Sequence, residues 1–98
     1  MSEFTDEQIM ARIILKLYRR GNWGKSHTSF ENLKKGFNPR DLGKKGLKRV
    51  DRMSEIMIKS GLLHSKSTGY GLEVSLEFTR KDELLAIVRR VFPDADCA

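Results

Sequence analysis

Cysteine is nearly missing from this chain: Cys97, in the C-terminal tail, is the only one. A disulfide framework within the chain is therefore excluded. Histidine is almost as scarce, with His27 and His64 alone. The three residues match no zinc spacing and offer no convincing nucleophile–base pair. No metal, no cofactor and no enzymatic activity are expected. No apolar run approaches the roughly 18 residues of a membrane span. The acidic start, MSEFTDEQ, resembles neither a signal nor a transit peptide, so a cytoplasmic protein is expected. Repeats and low-complexity tracts are also missing. The 98 residues suit one domain over 1–93, with 94–98 as a disordered tail.

A positive excess is what the chain does have. Its net charge is +6, and residues 16–60 hold thirteen basic against four acidic side chains. The segments on either side are slightly acidic. A confined positive field attracts phosphate and accelerates association, although a solvated charged face would have the same composition.

The centre of that excess is KKGLKRVDRMSEIMIKS, residues 44–60. At about 100° per residue, Leu47, Val50, Ser54, Met57 and Ile58 share an inward arc. Lys45, Lys48, Arg49, Arg52 and Lys59 collect on the opposite side, with Ile56 among them. One helix thus combines a core stripe with a positive stripe, and Gly61 ends it.

Other elements follow from local signals. Thr5 with Asp6, Glu7 and Gln8 reads as a capping box that opens a helix to Arg20. Ile9, Met10, Ile13, Ile14, Leu17 and Tyr18 give that helix a wide apolar stripe. The following loop, NWGKSHT, has room for a short edge strand at Ser26–Thr28. Its Gly24-Lys25-Ser26 lacks the glycine and the strand that a phosphate-binding loop requires. Trp23 suits a lid on the core better than a stacking platform. Thr28 or Ser29 caps a short helix, FENLKK, with Phe30, Leu33 and Phe37 inward, and Pro39 can start a further turn. Leu72, Val74, Leu76 and Phe78 alternate with Glu73, Ser75 and Glu77, which predicts a half-buried strand. Leu62–Lys66 is its hairpin partner across the glycine-bearing segment 67–71. Thr79 and Asp82 form the capping box of a last helix, whose apolar side is Leu84, Leu85, Val88, Val91 and Phe92.

The predicted class is therefore α+β: three helices, a two-stranded hairpin and a C-terminal helix. The segments HTSFENLKKGF, KKGLKRVDRMSEIMIKSGLL and STGYGLEVSL resemble those of small archaeal winged-helix DNA-binding regulators. In that family the third helix enters the major groove and the hairpin, or wing, touches backbone or minor groove. The resemblance implies DNA contacts from Lys44, Lys45, Lys48, Arg49 and Arg52 on the helix, and from Lys66, Thr68 and Tyr70 on the wing. Arg49 and Arg52 are the expected base readers, because a guanidinium grips guanine with two hydrogen bonds. The lysines are expected on phosphates. Double-stranded DNA is the expected partner and transcription regulation the expected role. Two alternatives use the same surface: a protein-interaction module in a larger assembly, suggested by Ile56 on the basic side, or RNA and ribosome binding. The apolar excess on the first and last helices also suggests a homodimer joined through them.

Overall fold

The computed structural model describes residues 4–94, and the helix starts there take the form of side-chain hydrogen bonds. α1 spans Asp6–Arg19. Thr5 Oγ1 accepts from the Gln8 amide at 3.1 Å, while Gln8 Oε1 accepts from the Thr5 amide at 2.8 Å. Two otherwise orphaned donors are satisfied by this reciprocal pair. The short strand β1, Thr28–Ser29, runs directly into α2, Phe30–Lys35, which Ser29 caps. A 3-10 turn at Pro39–Leu42 precedes α3, Lys48–Lys59. β2 (Leu63–Thr68) and β3 (Gly71–Leu76) follow, then a 3-10 turn at Phe78–Arg80 and α4, Lys81–Val91.

These elements make an α+β domain of four helices and a three-stranded antiparallel sheet in the order β1-β3-β2. Beside the expected hairpin, the short edge strand forms at Thr28–Ser29 rather than at Ser26–Thr28. Thr28 lies opposite Val74 and Ser29 opposite Glu73, so β1 satisfies part of the edge that β3 would otherwise leave open. Two residues are too few to show a period-two pattern. The hairpin turn is tighter than the expected five-residue loop, since Thr68 pairs with Gly71 and only Gly69 and Tyr70 lie between.

The core lies between the helices and one face of the sheet. Ile9, Ile13, Ile14 and Leu17 of α1 are fully buried, as are Leu84 and Val88 of α4. Each such side chain stabilises the fold by about 1.5–3 kcal/mol relative to exposure. α1 and α4 pack on each other within one chain. Ile87 joins this core, while Val91 and Phe92 are only partly buried against it.

Several expected details differ. α3 begins at Lys48, not Lys44, because Gly43 and Gly46 take φ values of 76° and 55° that a helix cannot continue through. Lys44 and Lys45 therefore stand on a turn before the helix. Leu47 is exposed rather than inward, and Met53 takes its place beside Val50, Ser54 and Met57. Ser75 is fully buried and donates to the Gly24 carbonyl at 2.7 Å. The polar side of β3 is covered there by residues 22–24, whose backbone bonds Leu76 on both sides. Phe78 leaves the strand, is 62% exposed, and meets Trp23 edge-on at 5.8 Å. Trp23 itself bridges to Leu76 and touches Tyr18, as a lid would. Thr79 does not cap α4. Instead Glu77 accepts from the Thr79 amide and hydroxyl, which holds the Glu77 carboxyl below its ordinary pKa. Of the expected tail, residues 95–98 lie outside the described residues.

Gly61 fixes the exit from α3. Its amide bonds the Ile58 carbonyl and the Leu62 amide bonds the Met57 carbonyl, the paired closure that places a left-handed residue after the cap. At φ 83°, an added Cβ would also meet Arg80 Nη1 at 3.1 Å. Gly61→Ala is expected to destabilise the domain by about 1–2 kcal/mol. Urea unfolding measures this, and an unchanged midpoint would contradict it.

Candidate nucleic-acid interface

The turn at 43–47 and the first half of α3 gather the predicted helix cations onto one surface. Backbone bonds from Gly46 to Gly43 and from Lys48 to Lys45 fold the turn tightly onto the helix start. Lys44, Lys45, Lys48 and Arg52 are all exposed. None of them has a hydrogen bond or ion pair to a described residue. Leu42, Lys44, Lys45 and Arg49 line a shallow cavity of about 490 Å³. A neighbouring one of about 180 Å³ is lined by Asp6, Lys45, Lys48, Arg49, Arg52 and Met53. Lys45 and Arg49 border both, so the two hollows form one cationic surface.

Arg49 is not free in the way a base reader must be. Its side chain is only 16% exposed. Nη2 binds Asp6 Oδ1 at 2.8 Å and Nη1 donates to the Leu42 carbonyl at 3.2 Å. One guanidinium thereby ties the start of α1 and the 3-10 turn to α3. The hydrogen bond from Arg49 holds the Asp6 carboxyl below its ordinary pKa against the opposing effect of partial burial. The charges of Arg49, Arg52 and Lys45 lower it further. A second brace joins α2 to α3: Lys34 Nζ lies 3.1 Å from Asp51 and 3.2 Å from Glu31. The Asp51 bond is the main cause of the raised Lys34 pKa. These two braces fix how α3 is presented.

The lowered Asp6 pKa sets a direction for acid sensitivity. A carboxyl lowered in the folded state stabilises above its unfolded pKa of about 4, and that contribution is lost as pH falls through the folded value. Wild type is therefore expected to be more stable than Asp6→Asn at neutral pH, with the difference closing below about pH 4. Thermal unfolding of both proteins across that range measures it. A difference that persists undiminished at pH 3 would show that the carboxylate charge is not what matters.

The hairpin residues Lys66, Thr68 and Tyr70 stand apart from this surface, and none of them lines either cavity. Lys66 is exposed opposite Glu73. Thr68 uses its hydroxyl at the hairpin tip, donating to the Gly71 carbonyl at 2.9 Å and accepting from the Tyr70 amide at 3.1 Å. The Tyr70 ring is fully exposed.

The Asp6–Arg49 and Lys34–Asp51 pairs carry no sequence signal of their own, because their partners lie 43 and 17 residues apart. Among the described residues no helix is long and apolar enough to cross a membrane, and no three metal-ligating side chains converge. Comparison with known protein families, with curated proteins and with solved structures finds no match.

Proposed function

We propose that the chain is a winged-helix DNA-binding protein, a transcriptional regulator that lays α3 in the major groove and reaches along the duplex with the β2–β3 hairpin. The observation that carries this reading is the surface of Lys44, Lys45, Lys48 and Arg52, four exposed cations with no hydrogen bond or ion pair among the described residues. Charges that serve the fold are paired here, as Arg49, Lys34 and Arg90 are. Unpaired cations clustered on one helix start are suited to phosphate, whose condensed counterions are released on binding.

The roles divide by chemistry. Lys44, Lys45 and Lys48 are point charges that suit phosphates. Arg52 points outward from the helix and suits the O6 and N7 edge of guanine. Arg49 is better read as a positioning residue, since its donors already hold Asp6 and Leu42. Tyr70 and Lys66 would touch the backbone beside the groove.

Fluorescence anisotropy with a labelled random-sequence duplex tests the reading. Phosphate contacts from Lys44, Lys45, Lys48 and Lys66 predict a slope of log K against log salt of about −3.6, and so an affinity loss on the order of a hundredfold between roughly 50 and 200 mM salt. Absence of duplex binding at the lower salt would overturn it, and binding only to structured RNA would favour that partner instead.

A further inference from the structure

Ile56 is the one large apolar side chain exposed within α3. The other exposed side chains of that helix are Lys48, Asp51, Arg52, Glu55, Lys59 and the small Ser60 at its cap, yet Ile56 is 44% exposed among them. It lies four residues after Arg52 and three before Lys59, beside both on the helix surface. Nor is it the edge of an apolar patch that a protein partner could bury. Among the described residues the remaining exposed large apolar side chains are Leu47, Tyr70 and Phe78. Leu47 lies nine residues back, on the opposite side of α3 at about 100° per residue. Tyr70 is at the hairpin tip, and Phe78 packs beside Trp23 and Lys81. A single isoleucine surrounded by charge gives a protein partner little to bury.

The major groove presents one apolar group on its base edges, the C5-methyl of thymine. We infer that Ile56 reads a thymine methyl one or two base pairs from the guanine gripped by Arg52. This rests on the DNA-binding reading above and adds the base that Ile56 selects. The spacing follows from geometry: four residues advance about 6 Å along the helix, against about 3.4 Å per base pair. The β-branched side chain is stiff at χ1, so little rotamer freedom is lost when it docks.

The test starts from duplexes selected by the protein out of a random pool. The Arg52-dependent guanine is first located as the position whose preference Arg52→Ala relaxes. Each thymine nearby is then replaced singly by deoxyuridine, which keeps its pairing and removes only the methyl. One such replacement is expected to weaken wild-type binding about fourfold. Ile56→Ala should bind that thymine and deoxyuridine equally, while keeping the guanine preference, the salt slope and the thermal midpoint. The inference is overturned if no thymine near that guanine is methyl-sensitive, or if the sensitive one stays sensitive in Ile56→Ala. Loss of all duplex binding by wild type would instead overturn the DNA-binding reading itself, a different and recognisable result.

Discussion

Replacing Lys44, Lys45, Lys48 and Arg52 together by alanine is expected to cut duplex affinity by on the order of a thousandfold at moderate salt and to remove most of the salt dependence. The four side chains sit on the turn at 43–47 and the outer face of α3, where no acid among the described residues forms a salt bridge with them. Removing them takes nothing from the core, so circular dichroism and the unfolding midpoint should stay near wild type. The single variants should then separate. Lys45→Ala and Lys48→Ala are expected to lower the slope by about one unit each, equally for all sequences. Arg52→Ala should cost about 1–3 kcal/mol at the preferred sequence and relax one base position. If Arg52→Ala behaves like the lysines, the assignment of base reading to it is wrong. Arg49→Ala is expected to differ from all three by lowering stability, because it frees Asp6 and the Leu42 carbonyl.

Met57→Ala is expected to destabilise the domain by about 2–5 kcal/mol. Met57 is fully buried on the inner face of α3, and its carbonyl receives the Leu62 amide where the chain turns into β2. Truncation leaves a cavity under the helix that carries the cationic surface, and a loss of that size is a large part of the roughly 5–15 kcal/mol that holds a domain folded. The neighbouring Ile56→Ala, on the exposed side, should change stability by less than about 0.5 kcal/mol. Urea unfolding of both variants measures the contrast. A small effect at Met57 would mean that α3 is seated by Val50 and Met53 rather than through this residue.

The contrast between Met57 and Ile56 was legible in the sequence, as were most helices, because capping residues and apolar spacing are local signals. Thr5 with Gln8, Ser29 and Gly61 each act within a few residues and form as expected, and the alternating stretch Leu72–Leu76 is a strand as its period predicts. What the sequence hides is set by the chain meeting itself at a distance. Ser75 has the polar place of an alternating strand, and only the segment carrying Gly24 makes that place a buried one. Phe78 continues the alternation in sequence, yet the ring of Trp23 and the bond from Thr79 to Glu77 draw it out of the strand. The start of α3 was obscured differently. Lysines and leucine carry helical spacing through residues 44–47, and the two glycines override it. On the candidate surface, Lys44, Lys45, Lys48 and Arg52 were visible as a charge cluster. The withdrawal of Arg49 was not, since nothing near it in sequence announces Asp6 as its partner.

Amide-shift mapping of the folded domain, titrated with a short DNA duplex at low salt, tests the central claim most directly. The account predicts that amides of 43–59 shift progressively, joined by those of 66–71 on the hairpin, while the buried amides of Ile13 and Leu84 on the α1–α4 side stay still. Shifts confined to the α1–α4 side, or no shifts at all, would contradict it.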